Sequence, residues 1–82
     1  MVNITMIGSG YIGLVTGTLF ADRGNKVICV DNNEKIVETL NKGKIHIFEP
    51  GLEELVKKNV NAERITFTTD IKSAVKTSDA IF

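Results

Sequence analysis

Apolar residues in this chain come in two textures, short β-branched runs and longer stretches at helical spacing. Val2-Asn3-Ile4-Thr5-Met6-Ile7 starts by alternating and ends apolar, which predicts a strand over 2–7 buried on both faces, as in the middle of a parallel sheet. Beyond a run of glycines, Ile12, Val15 and Leu19 recur at helical spacing, and Leu14 and Phe20 widen the apolar stripe. Gly17 inside that helix costs about 1 kcal/mol relative to alanine, so close packing on the sheet is its expected reason. Arg23 in the last turn and Gly24 just beyond it form a stop signal. Lys26 to Asp31 predicts a second apolar strand ending in an acid. Asn32 or Asn33 can then cap a helix that carries Ile36, Val37 and Leu40 and stops near Gly43.

Residues 44–50 read as a connecting segment of extended, alternating character. Pro50 disfavours helix at Glu49 and suits the first turn of a third helix, whose apolar face is Leu52, Leu55, Val56 and Val60. Ile65-Thr66-Phe67-Thr68 predicts a third strand. Thr69 or Asp70 can cap a short helix with Ile71, Ala74 and Val75 inward, and Ala80-Ile81-Phe82 opens a fourth strand. Strands that alternate with helices argue for an α/β fold with a parallel sheet and right-handed crossovers.

Composition narrows the function classes. A chain of 82 residues is at most one small domain, and 43% hydrophobic content fits a globular one. Lys plus Arg and Asp plus Glu number 10 each, so no basic footprint for nucleic acid or a membrane surface is present. No apolar stretch nears the roughly 20 residues of a membrane span, and the N-terminus has no secretory-signal pattern. The single Cys29 rules out an internal disulfide and fits a reducing, cytoplasmic setting. One Cys and one His, far apart, give no metal-ligand cluster.

The chemistry is carried by the turn after the first strand. Gly8, Gly10 and Gly13 have the G-x-G-x-x-G spacing of a dinucleotide-binding turn. In such a turn the first glycine permits a sharp bend, the second lets a pyrophosphate approach the backbone, and the third lets the helix pack close to the strand. Phosphate groups then sit over N–H groups at a helix N-terminus, where the helix dipole favours negative charge. Gly8, Ser9, Gly10, Tyr11, Ile12 and Gly13 are therefore the candidate pyrophosphate site. Asp31, 18 residues after Gly13 at the end of the second strand, is the candidate acceptor for adenosine ribose hydroxyls. A carboxylate there would repel a 2′-phosphate and no Arg follows it, which favours NAD over NADP. Lys35, on the first turn of the second helix, either reaches the ribose or adenine side or is a solvated surface lysine. Cys29 reads as an inert buried residue, His46 as an idle loop residue, and Glu49, Glu53 and Glu54 as charge complements of a helix N-terminus. The expected architecture is a Rossmann-type doubly wound parallel sheet of strand order 3-2-1-4. A fourth strand cut after three residues makes 1–82 read as the N-terminal half of that domain, with its remainder and a substrate domain outside the chain.

These residues, together with Val30-Asp31, Leu40-Asn41-Lys42-Gly43, Phe48-Glu49-Pro50-Gly51-Leu52-Glu53-Glu54-Leu55, Phe67-Thr68-Thr69-Asp70 and Ser78-Asp79-Ala80-Ile81-Phe82, resemble the N-terminus of the UDP-glucose 6-dehydrogenase family. The wider UDP-glucose/GDP-mannose dehydrogenase group shares the pattern, and the likeness covers essentially the whole chain. The resemblance implies oxidation of a UDP-sugar, UDP-glucose to UDP-glucuronate, with two NAD⁺ and a cysteine thioester that water hydrolyses. It further implies main-chain contacts from Tyr11 and Ile12 to the pyrophosphate, ribose binding by Asp31, and a homo-oligomeric parent. The family often has a basic residue five positions after the acid; here that position is Ile36, with Lys35 one earlier. The family's catalytic cysteine lies beyond Phe82, so no residue of this chain is expected to be catalytic. Other nucleotide-sugar dehydrogenases, acting on GDP-mannose or a UDP-amino sugar, and a non-catalytic nucleotide-sensing module are the alternative readings.

Overall fold

The computed structural model describes residues 1–8 and 10–82, and Ser9 lies outside the described residues. In chain order the elements are β1 (Asn3–Ile7), α1 (Tyr11–Asp22), β2 (Lys26–Val30), α2 (Glu34–Asn41), α3 (Leu52–Asn61), β3 (Ile65–Thr68), α4 (Ile71–Lys76) and β4 (Ala80–Ile81). The strands form one parallel sheet of order β3-β2-β1-β4, as the sequence predicts. Asn3 pairs with Lys26 and Ile7 with Val30, while Val27 pairs with Ile65 and Ile4 with Ala80. Crossovers to β2 and β3 run one way along the sheet and the crossover to β4 runs back. Right-handed connections therefore set α1, α2 and α3 on one face and α4 on the other.

The core lies under the three-helix face. Ile4, Met6, Val27, Cys29, Ile65 and Phe67 point into it, and Leu14, Ala21, Leu40, Leu52 and Val56 close it from above. A Cβ on Gly17 would come within 3.1 Å of both Met6 Cγ and Cys29 Sγ, so the glycine lets α1 lie close on the sheet as expected.

Which side of α1 is buried differs from expectation. Leu14, Gly17, Thr18 and Ala21 face the sheet, while Ile12 is 77% and Leu19 50% exposed. The three small residues at this spacing permit the close approach, and they carry no signal in a search for large apolar side chains. Two boundaries also shift. Asp31 stands one residue past β2, and Ile7 at the end of β1 is half open rather than buried on both sides.

Pro50 lies before α3 rather than in its first turn. Glu49-Pro50-Gly51-Leu52 is a type II turn: Leu52 N–H donates to Glu49 C=O at 3.1 Å, and Gly51 has φ 81° and ψ −14°. That turn places Pro at its second position and needs the left-handed backbone at its third, which glycine supplies. At the far end of α2, Asn41 spans β3: its Nδ2 donates to Phe67 C=O at 2.8 Å, and its Oδ1 accepts from Phe67 N–H at 3.0 Å. Thus Leu40-Asn41-Lys42-Gly43 is a packing motif, with Leu40 fully buried beside it.

Candidate cofactor site

The carboxyl ends of β1 and β2 meet at the glycine turn. Gly8 leaves β1 with φ 92°, and its N–H donates to Val30 C=O at 2.6 Å, which ties the turn to the neighbouring strand. Gly10 then occupies the N-cap of α1 in extended backbone, and its C=O accepts the first helical bond from Leu14 N–H at 2.8 Å. A Cβ on Gly13 would sit 2.5 Å from Gly8 C=O, so a side chain there cannot coexist with this closure of turn on helix. A Cβ on Gly10 would meet open space. The two glycines therefore differ: Gly13 is needed by the fold, while Gly10 keeps a surface bare.

That bare surface is a helix N-terminus. Its first N–H groups have no acceptor within the helix, and Gly10 offers no side-chain oxygen to them. The first turn of α1 also lacks an acid, whereas α2 carries Glu34 and α3 carries Glu53 and Glu54 at the same place. α4 is capped instead by Asp70, whose Oδ1 accepts from Ser73 N–H at 3.1 Å. The dipole of α1 is thus left for an outside anion to complement.

Beside this turn lies a cleft of about 330 Å³, lined by Ile7, Gly8, Val30, Asp31, Asn32, Thr69 and Ile71. Asp31 N–H donates to Thr68 C=O at 3.0 Å, and Asp31 Oδ1 accepts from Asn33 N–H at 2.9 Å. Asn33 in turn caps α2 by accepting from Lys35 N–H at 3.0 Å and Ile36 N–H at 3.2 Å. The acid is therefore held by its own turn, half buried at the cleft. Such a position, outside the carboxyl ends of parallel strands, is where open α/β sheets bind ligands.

The structure brings Gly8 and Asp31 to one cleft and sets Gly10, Tyr11, Ile12 and Gly13 at the adjoining helix end. Lys35 is exposed on the first turn of α2 and is not among the residues that line the cleft. Asn32, Thr69 and Ile71 were missed by motif spacing. Ile71, expected to point inward, is instead 46% exposed and lines the cleft.

Cys29 is fully buried away from the cleft, and burial pushes its thiol up to about 12. His46 is exposed on the 44–51 connection. Glu53 Oε2 accepts from Ile45 N–H at 3.3 Å, in keeping with a helix-terminal acid. The Glu49 carboxylate, through hydrogen bonding first and charge second, holds the Tyr11 pKa above its ordinary value. Among the described residues no group of His, Cys, Asp and Glu could hold a metal ion, and no helix is long and apolar enough to cross a membrane.

The family model for the NAD-binding domain of UDP-glucose/GDP-mannose dehydrogenases matches residues 2–82. UDP-glucose 6-dehydrogenase of Rhizobium meliloti (strain 1021) is 56% identical over 79 residues, which is 96% of this chain and 18% of that protein. The solved UDP-glucose dehydrogenase of the archaeon Pyrobaculum islandicum superposes with a TM-score of 0.95 at 39% identity, over 100% of this chain and 19% of that one. A GDP-mannose dehydrogenase from Pseudomonas aeruginosa gives the same TM-score of 0.95 at 40% identity, over 98% of this chain and 18% of that one. The chain thus spans about a fifth of the length of these relatives.

Proposed function

The chain belongs to the UDP-glucose/GDP-mannose dehydrogenase family through its NAD-binding domain, and on that premise we propose that it is the NAD-binding portion of a UDP-glucose 6-dehydrogenase. The observation that carries the reading is one cleft walled by Gly8 and Asp31 beside a helix N-terminus that, among the described residues, has no side-chain cap and no first-turn acid. The residues fit the cofactor. Bare backbone at Gly10 admits a pyrophosphate, and N–H groups of Tyr11 and Ile12 hold it without a side chain in the way. Asp31 accepts from the adenosine ribose hydroxyls, and its charge excludes a 2′-phosphate. Ile71, Thr69 and Asn32 supply the wall on the adenosine side, and Lys35 stays a peripheral charge.

Bound there, NAD⁺ supplies the hydride acceptor for oxidation of the sugar alcohol. This chain's part is to orient the cofactor and keep it in register with the sheet. Thiol chemistry does not fall to Cys29, because a buried, protonated thiol is a poor nucleophile. The dinucleotide-binding domain continues past this segment in our reading, followed by the substrate domain, in line with the relatives' greater length. A cytoplasmic homo-oligomer acting on UDP-glucose belongs to the same proposal, supported by the family and by the lone thiol. Fold alone does not select the sugar nucleotide, since a GDP-mannose enzyme superposes equally well; the higher identity to a UDP-glucose enzyme supports that choice.

NAD titration of the full-length protein tests the site. Asp31→Ala should weaken binding by about 1–3 kcal/mol through loss of a charged hydrogen bond. Unchanged affinity would remove Asp31 from the cofactor site.

A further inference from the structure

We propose that Asn41 closes the outer edge of β3 against strand addition, and that the partner it excludes is β3 of a second copy of this chain. β3 ends the strand order, so one side of it pairs with β2 and the other faces outward. Main-chain groups of successive residues alternate between those two sides. Val27 N–H donates to Arg64 C=O and Asp31 N–H to Thr68 C=O, which turns the even-numbered residues of this strand toward β2. The main-chain groups of Ile65 and Phe67 therefore point outward. One side chain takes both outward groups of Phe67: Asn41 Nδ2 donates to its C=O at 2.8 Å, and Asn41 Oδ1 accepts from its N–H at 3.0 Å. The primary amide thus copies the pairing that a peptide unit of an added strand would make.

The amide is fixed from both sides along the chain. Before it, Leu40 is fully buried in the core. After it, α2 closes in a Schellman motif: Gly43, at φ 79°, donates its N–H to Leu40 C=O at 2.9 Å, and Lys44 N–H donates to Thr39 C=O at 3.2 Å. Asn41 itself is exposed, so its amide stands between the strand edge and solvent. The edge beneath is well suited to pairing. Ile65-Thr66-Phe67-Thr68 is β-branched and aromatic, with neither the charge nor the proline that blunts an exposed strand, so two copies would meet without like-charge repulsion. Two such edges are self-complementary when they run antiparallel about Thr66. Ile65 of each copy then faces Phe67 of the other, and Thr66 faces Thr66. Both hydrogen-bonded pairs of that arrangement contain a Phe67, so one asparagine per copy blocks them all.

The test is sedimentation velocity on the full-length protein, with hydrogen exchange of the Phe67 amide measured alongside. Asn41→Ala should add a concentration-dependent species of about twice the parent's mass. At low concentration its Phe67 amide should exchange about tenfold faster than in the parent. Thr66→Lys added to that variant sets like charges directly opposite each other across the pair and should restore the parent's mass. Thr66 is exposed, so the lysine needs no repacking. Leu14→Ala loosens the core with the edge still closed and should keep the parent's mass. Where Asn41→Ala fails to fold, Asn41→Ser takes its place, because its hydroxyl is too short to span both groups of Phe67. Parent mass in the open-edge variant, equal association in Leu14→Ala, or association that survives Thr66→Lys would each overturn the proposal.

Discussion

On the side of the sheet that carries α1, α2 and α3, every inward strand residue is buried: Ile4 and Met6 from β1, Val27 and Cys29 from β2, Ile65 and Phe67 from β3. On the side under α4 the cover is partial. Thr5 is fully buried there, with Oγ1 donating to Ala74 C=O at 3.2 Å and bonded to Ser78 Oγ, yet Ile7 and Ile81 are about half open and Thr66 is exposed. The candidate cleft opens at the carboxyl end of this lightly covered side, where Ile7, Val30 and Ile71 form part of its wall. The two faces divide the work. One carries cohesion, and the other leaves backbone and apolar surface available at the strand ends.

The sharpest way to break this comparison is to truncate one residue on each face. Leu14→Ala empties a fully buried position between α1 and the sheet and should cost about 2–5 kcal/mol. Val75→Ala on α4 should cost less than about 1 kcal/mol, since that side chain is already part exposed. Chemical denaturation of the full-length protein measures both, and equal losses would abolish the distinction. A smaller effect is expected at the sheet margin. Asn41→Ala leaves the N–H and C=O of Phe67 without their side-chain partner and should cost about 1–2 kcal/mol in the same measurement.

The smallest effect concerns the rim of the closed face. The Asn59 amide, and then the Lys58 ammonium, hold the Asp22 carboxyl below its ordinary pKa. A depressed folded-state pKa means stability that is present above about pH 4 and lost as pH falls through the lower value. Melting temperature should therefore fall with acidification over that range, and Asp22→Asn should flatten the slope slightly. An unaltered slope would show that the ion pair at 3.1 Å is thermodynamically silent.

Much of this architecture is legible from residue order. Strand order 3-2-1-4 follows from the alternation of runs and the handedness of crossovers, and the run Ile65-Thr66-Phe67-Thr68 coincides with β3. The buried side of α1 was not legible. Its sheet-facing positions are filled by Leu14, Gly17, Thr18 and Ala21, and small residues that win by proximity look neutral on any scale of side-chain apolarity. Cover over the second face was overestimated for a related reason: apolar strands announce that they can be buried, without saying by what.

At the candidate site, the glycine spacing and Asp31 point to one corner of the fold, where Gly8 and Asp31 line a common cleft, because both follow from local chain geometry. Thr69 and Ile71 arrive there from β3 and α4 through the sheet order, so they become visible only once topology is known. The electrostatic coupling of Tyr11 to Glu49 has no local signature at all. It depends on where a connection of irregular backbone comes to rest.

Cys29 offers a use that follows from its seat under Gly17. Its sulfur is fully enclosed between β2 and α1, and its thiol stays protonated near neutral pH. A thiol-modifying reagent can reach it only in conformations where α1 has left the sheet, so the labelling rate at this position is a clock for that opening. Cys29 is the one cysteine of these 82 residues, so label mapped to its own peptide reports this position. The domain thus carries a built-in reporter of its own integrity, placed by packing at the point where the helix lies closest to the strands.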